Sequence, residues 1–309
     1  MANIYLITGI AGFIGSHIAE KLLKRGESVI GIDNFYSGKV ENIEFLEKLN
    51  GSFKFFEIDL RDIDKLRDLF KNEKPTNIFH LGAVASVQKS IEDPIFTNSV
   101  NVTGTLNILQ LSKEFGVKRV VFSSSAAVYG DEPTLPKSEN SIISPISPYG
   151  YEKLMGEHYM SLYNSLYGVE TVSLRYFNVY GERQDPSSDY SGVISIFEDR
   201  VKKSLPINIY GDGKQNRDFI YVGDVADINI LAMESNRTLG QIFTVGTGVI
   251  TTINELFQII KKKYSSNLEP NYLPSRNGDI RESKADNSRV KELLEFNSFT
   301  LFENGIKRL

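Results

Sequence analysis

The chain has 309 residues and no cysteine. Disulfides, thiolate metal centres and cysteine nucleophiles are therefore excluded. Histidine is scarce: only His17, His80 and His158 are present, far apart in the sequence. His17 and His158 fall in helical patterns and His80 closes an apolar run, so each is expected to be structural, and no metal is predicted. No apolar run approaches the ~20 residues of a membrane span. The N-terminus lacks a signal-peptide pattern, because a short apolar run reaches Thr8 and glycines follow. There is no basic stretch, and the net charge is −4, which argues against nucleic acid and against an anionic membrane surface as partners. Internal repeats, low-complexity tracts and long linkers are also missing. A chain of this length can bury a substantial core, and a soluble, cytoplasmic enzyme is expected.

What is present begins with glycine. Ile4–Thr8 is short, apolar and β-rich, and reads as a buried strand. Gly9-Ile-Ala-Gly12-Phe13-Ile14-Gly15 follows, and then a helical pattern to Arg25. Gly9 permits a tight turn, Gly12 has no Cβ to hold a phosphate away from the backbone, and Gly15 lets helix and strand pack closely. The helix N-terminus offers free N–H groups and a positive dipole end to a pyrophosphate. A second apolar run, from Ser28, ends at Asp33, 18 residues after Gly15. Asp33 is placed to accept hydrogen bonds from a ribose 2′-hydroxyl and would repel a 2′-phosphate, which selects NAD over NADP.

Strand and helix patterns then alternate. Helices are predicted near 40–49, 62–70 and 95–115, and strands over 53–58, 77–81 and 118–123. This predicts an α/β fold, a doubly wound parallel sheet of the Rossmann type. From about residue 175 polar, glycine-rich segments appear, separated by helices near 193–203, 224–234 and 252–264. They suggest a smaller mixed α/β substrate lobe, with residues 1–175 mainly binding NAD and 176–309 mainly binding substrate, some segments returning to the first domain. Arg183, Arg217 and Arg276 are spaced through these loops, and a guanidinium fork suits a diphosphate.

Tyr149 and Lys153 stand four residues apart, on one helical face. An ammonium beside a phenol favours the phenolate and lowers the tyrosine pKa, which makes Tyr149 a candidate acid/base near neutral pH.

Taken with Asp59-Leu60, His80-Leu-Gly-Ala83, Asn101-Val-Thr-Gly-Thr-Leu-Asn107, Ser123 to Gly130, Arg175 to Gly181, Gly211 to Phe219 and Arg276 to Asp279, these motifs resemble the extended short-chain dehydrogenase/reductases, in their nucleotide-sugar 4-epimerase group. The resemblance covers essentially the whole chain. It implies a catalytic set of Tyr149, Lys153, Ser125 and Ser124, in which Ser125 hydrogen-bonds the sugar O4 and Lys153 also holds the nicotinamide ribose. It implies that NAD is bound by Gly9, Gly12, Phe13, Ile14, Gly15, Asp33, Asn34, Asp59, Leu60, Leu81, Gly82, Ala83, Asn101, Ser123 and Tyr176, besides Tyr149 and Lys153. It places a UDP-sugar against Ser86, Ser125, Asn178, Val193, Tyr210, Arg217, Arg276, Asp279 and Ser283. The segment Arg183 to Pro186 is similar to one typical of epimerases that handle N-acetylhexosamines.

The reaction implied is oxidation at C4, rotation of the 4-ketone and return of the hydride. Dehydratase relatives carry Asp-Glu where this chain has Ala126-Ala127, and decarboxylases usually keep the glutamate, so epimerisation is the branch expected. A bulky tyrosine at the position of Ser283 confines relatives to unsubstituted hexoses, so serine predicts UDP-GlcNAc/UDP-GalNAc, with possible UDP-Glc/UDP-Gal. A UDP-glucose-only epimerase, another NAD-dependent nucleotide-sugar oxidoreductase and a non-catalytic NAD sensor are the alternatives. The resemblance also implies a homodimer built on the helices at 95–115 and 149–167. The chain departs from the family pattern at Gly82, where alanine is usual and looser cofactor packing is expected. It departs again at Tyr151-Glu152, where small or polar residues are common and Glu152 could attract Lys153, and at Asn277, where proline is frequent.

Overall fold

The computed structural model describes residues 3–186, 192–275 and 281–309. The first apolar run forms β1 (Ile4–Thr8), almost wholly buried. A parallel strand covered on both faces needs no polar alternation. Gly9 turns the chain at φ 70°, and Gly12 opens α1 (Phe13–Lys24). The chain continues through β2 (Ser28–Asp33), α2 (Val40–Glu47), β3 (Ser52–Glu57), α3 (Ile63–Glu73), β4 (Asn77–His80), α4 (Val87–Glu92), α5 (Pro94–Asn98) and α6 (Gly104–Phe115). There follow β5 (Arg119–Ser125), α7 (Pro148–Tyr167), β6 (Glu170–Tyr176), β7 (Asn178–Tyr180), α8 (Val193–Lys202), β8 (Ile207–Tyr210), β9 (Asn216–Tyr221), α9 (Val222–Glu234) and β10 (Gln241–Val245). The last labelled elements are β11 (Ile250–Thr252), α10 (Ile253–Lys263) and β12 (Pro270–Leu273).

Seven parallel strands form the main sheet in the order β10-β6-β5-β4-β1-β2-β3. This is the doubly wound Rossmann arrangement. The order reverses between β1 and β4, so a crevice opens outside their carboxyl ends. One face carries Ile18, Leu22 and Leu23 of α1 with Val225 and Ile228 of α9; the other carries Leu66 and Phe70 of α3, Ile108 of α6 and Met160 of α7. A three-stranded sheet (β11-β9-β7), the β12-β8 pair, α8 and α10 enclose a separate core around Phe197, Phe257 and Tyr180.

Two local features differ from the sequence reading. The helix expected over 95–115 is interrupted: a π-helical turn, Ser99–Thr103, lies between α5 and α6. A π turn carries one more residue than an α turn, and here its middle residue, Asn101, is buried. Helix α4 was also not legible, because VQKSIE has too few apolar positions to display a period. Its N-cap, Ser86, accepts a hydrogen bond from Lys89 N at 2.9 Å.

Candidate active site

The cleft at the switch point is lined by every residue expected to hold the cofactor except Asn101. Gly9 and Gly82 touch backbone to backbone: a Cβ on Gly9 would lie 2.8 Å from Gly82 N, and one on Gly15 would lie 2.3 Å from Gly9 O. Only glycine permits that approach. Gly82, where alanine is usual, packs against Leu60 and Thr8. A Cβ there would lie 2.8 Å from Leu60 Cδ1 and 3.1 Å from Thr8 Oγ1, so alanine would require the Leu60 side chain to shift.

Helices α3, α4, α7 and α10 are each capped by their own side chains (Asp62, Ser86, Ser147 and Thr252). Helix α1 has Gly12 at its N-cap, no side-chain cap and no acidic residue in its first turn. Its N–H groups therefore face the cleft with the helix dipole behind them, which fits a pyrophosphate. At the end of β2, Asp33 accepts hydrogen bonds from Ala11 N (3.0 Å) and Phe35 N (2.9 Å). The carboxylate is thus held against the glycine turn, where a ribose hydroxyl would meet its remaining lone pairs. Asn34 donates to Asp59 at 2.8 Å. Arg61 chelates Asp59 and holds its carboxyl down at about 2, so it is ionised at neutral pH. These residues fit an adenosine dinucleotide with a free 2′-hydroxyl.

The reactive end is built on β5 and α7. Pro148 sits in the first turn of α7 and Ser147 caps it, accepting from Gly150 N at 3.2 Å. Tyr149 therefore lies at the positive end of a 20-residue helix. Lys153 follows one turn on, and its Nζ donates to Ser123 O at 2.8 Å. Nζ lies 5.8 Å from the Tyr149 ring centre and 5.0 Å from that of Phe122. Both side chains are buried.

The expected lowering of the Tyr149 pKa is not what the protein alone produces. Burial pushes the phenol up to about 12, a hydrogen bond with Ser125 opposes this, and the charge of Glu152 adds to it. Burial pulls Lys153 down to about 8, against the pull of Glu152 and Glu157 in the other direction. Desolvation outweighs the tyrosine–lysine attraction because both groups are almost out of water. Nor does Glu152 turn toward Lys153 to pair with it. Its carboxylate accepts from Thr97 Oγ1 and Asn101 Nδ2, each at 2.6 Å.

The three serines of β5 diverge. Ser123 Oγ donates to Tyr176 OH (3.1 Å), which donates to Asn229 (2.8 Å). Ser124 Oγ donates to Glu157, which is chelated by Arg175 in a buried ion pair. Ser125 ends the strand, accepts from Ala127 N (3.2 Å) and faces a second cavity. Ser125, Asn178, Arg217 and Ser283 line that cavity together, with Ala126 and Ala127 beside them. Tyr176 belongs to the walls of both cavities, so they adjoin there.

Other expected residues lie elsewhere. Asn101 turns its amide inward, accepting from Val84 N (2.7 Å) and donating to Val84 O (3.0 Å), so it holds the wall of the cleft from behind. Ser86 is buried and spends its hydroxyl on capping α4. Val193 and Tyr210 are outside the walls of both cavities. Arg276 and Asp279, with Asn277, lie outside the described residues. Arg183 does not converge with Arg217. It lines the dinucleotide cleft instead, pairs with Glu20 (2.7 Å) and stacks over Phe45. Asp185 pairs with Lys39 at 3.0 Å from the same segment. Lys137 was missed; it is buried in the second cavity's wall, paired with Glu132. A single lysine in a loop carries no periodicity or motif that would mark it. His17 and His80 are buried and His158 is exposed; no group of metal-binding side chains occurs among the described residues.

Residues 5–246 match the NAD-dependent epimerase/dehydratase family. The chain belongs to that family. It is therefore an NAD-dependent enzyme. A putative UDP-glucose 4-epimerase of Methanocaldococcus jannaschii is 42% identical over 305 residues, spanning 98% of this chain and 96% of that protein. The structure of a Thermotoga maritima UDP-glucose 4-epimerase with UDP-glucose is similar at 40% identity and a TM-score of 0.93, covering 98% of this chain and 96% of that one. A UDP-N-acetylglucosamine 4-epimerase of Methanobrevibacter ruminantium, in complex with UDP-N-acetylmuramic acid, is similar at 38% identity and a TM-score of 0.93, covering 100% and 97%. Among the described residues of this member, no helix is long and apolar enough to cross a membrane.

Proposed function

We propose that the protein interconverts the C4 epimers of a UDP-hexose, with UDP-GlcNAc/UDP-GalNAc as its preferred pair and UDP-Glc/UDP-Gal also accepted. One observation carries this reading. Tyr149 lines the dinucleotide cleft and Ser125 the second cavity, beside Tyr176, which belongs to the walls of both, so a hydroxyl reaching both would sit between cofactor and sugar.

The chemistry follows from the groups present. C4 of a hexose is not acidic, so inversion needs a 4-ketone. When bound, NAD supplies a cationic nicotinamide that takes up and returns the C4 hydride, and its charge favours the Tyr149 phenolate. Lys153 and the N-terminus of α7 act on that phenolate with the same sign. Tyr149 removes the O4 proton, and Ser125 donates a hydrogen bond to O4. After the ketone rotates, Tyr149 returns the proton. Arg217 and Asn178 hold the diphosphate while the hexose turns, so binding strength resides in the nucleotide half. Ala126 and Ala127 offer no acid to expel a C6 hydroxyl, which sets aside 4,6-dehydration.

Ser283 supports the N-acetyl preference, since a small side chain in the cavity wall leaves room at C2. Presenting UDP-GlcNAc and UDP-Glc separately, and resolving the products by proton NMR, tests it. Comparable or faster turnover of UDP-GlcNAc is expected. A preference for UDP-Glc above about tenfold would leave a UDP-glucose-only epimerase as the better reading. Ser283→Tyr is expected to abolish the UDP-GlcNAc reaction and spare that of UDP-Glc. A second copy of the chain is the proposed partner, because α7 leaves Tyr151, Met155, Leu162 and Leu166 exposed, spaced as a stripe along the helix.

A further inference from the structure

Glu152 is a buried carboxylate beside the reactive pair, and the mechanism does not use it. It has no cationic hydrogen-bond partner: both oxygens are held by neutral donors, Thr97 Oγ1 and Asn101 Nδ2, at 2.6 Å. A buried charge balanced only by neutral donors is costly to keep, and the arrangement of the chain around it is specific. The π turn carries Asn101, whose Oδ1 accepts from Val84 N and whose amide donates to both Val84 O and Glu152.

The same wall is fixed at its other end. Thr105 donates to Asn101 O (2.6 Å), so its hydroxyl accepts from His80 Nε2, and His80 Nδ1 is left to accept from Thr8. The Thr8 hydroxyl then accepts from Leu81 N (3.0 Å) and Gly82 N (2.9 Å). Leu81 to Val84, which line the cleft, are thus tied at one end to β1 and at the other, through Asn101, to Glu152 on α7.

We propose that Glu152 is a positioning residue for the hydride-transfer site: its buried charge biases protonation of the Tyr149–Lys153 pair, and through Asn101 it anchors the Leu81–Val84 wall of the cleft. This rests on Tyr149 being the acid/base. The groups facing the pair are Glu152 and Glu157 from α7, His80 from β4, and Ser123 and Ser125 from β5, with Tyr176 of β6 beyond Ser123. His80, neutral by the hydrogen bonding above, adds no charge. Glu157 is neutralised by Arg175. Glu152 is therefore the one uncompensated anion among them. A negative charge there retains the proton on both Lys153 and Tyr149, so its removal lets both dissociate at lower pH.

The test is the pH dependence of kcat in the holoenzyme with UDP-Glc, for wild type, Glu152→Gln, Glu152→Asp and Tyr149→Phe. Glutamine can still accept from Asn101 and donate to Thr97. Both limbs of the profile are expected to move toward acid by roughly half a pH unit or more, with aspartate restoring them. Should the glutamine variant not fold, Glu152→Ser, uncharged and smaller, is expected to show the same displacement. Limbs that stay in place in an uncharged variant that folds and keeps NAD would overturn the proposal. Loss of turnover in Tyr149→Phe together with unmoved limbs in Glu152→Gln would sink this inference alone. Retained turnover in Tyr149→Phe would sink the catalytic reading beneath it.

Discussion

Tyr149 illustrates how far local chemistry is decided by surroundings. Its spacing from Lys153 was plain in the sequence, but the sign of its pKa shift was not, because spacing says nothing about desolvation. With the phenol at about 12 and the ammonium at about 8, the protein alone keeps the tyrosine protonated. In the proposed mechanism, the positive charge of bound NAD is what would favour its phenolate. Tyr149→Phe is expected to lower kcat by ~10²–10⁴-fold while NAD stays with the protein. Turnover with UDP-Glc, and NAD released on denaturation, measure the two quantities. Lys153 carries a matching stability effect. Its folded pKa lies below the unfolded one, so the buried ammonium costs stability at neutral pH, and that cost is relieved as pH rises through about 8 toward 10.5.

Helix α7 shows how one element serves several duties through separate faces. Its first turn presents Tyr149, its buried side carries Glu152, Glu157 and Gly156, and its outer side exposes the apolar stripe. Gly156 sets how closely it approaches β5, because a Cβ there would lie 2.4 Å from Phe122 Cζ. Gly156→Ala is expected to cost ~1–3 kcal/mol through overpacking, read as a fall in the urea midpoint. The strand runs and long helices were legible because their apolar periods are long and regular. The π turn and α4 were not. Insertion of one residue into a helical turn leaves no mark on composition, and six residues are too few for a period. Ser86 and Asn101 line neither cavity; their side chains turn to capping and bracing instead.

For the molecule as a whole, protons and a second copy of the chain are the expected determinants of stability and assembly. Burial holds His17 at about 4 and His80 at about 3, below the usual 6.5. For each, the unfolded chain binds the proton more readily. The stability they contribute is complete above pH 6.5 and is lost as pH falls toward 4 and 3, by up to ~1.4 kcal/mol per pH unit per histidine. Urea midpoints measured from pH 7.5 to 5 are expected to fall, and His80→Gln should flatten that slope. The α7 stripe predicts that Leu162→Glu with Leu166→Glu yields a monomer by light scattering where the parent chain is a dimer. A parent chain that is itself monomeric would remove that assignment.

The glycine turn, Asp33, the alternation of strand and helix, and the Tyr149–Lys153 spacing are local patterns, and backbone geometry makes such patterns readable along the chain. They were enough to specify the sheet and a dinucleotide-binding turn; the family came from resemblance across the wider set of motifs. Other features depend on which distant segments meet. These include the parting of Arg183 from Arg217, the two cavities adjoining at Tyr176, Lys137 in the wall of the second cavity, and Glu152 held by Asn101. Each arises from chain folding that brings together segments far apart in sequence. Burial there reverses the electrostatic expectation that holds for the same residues in water.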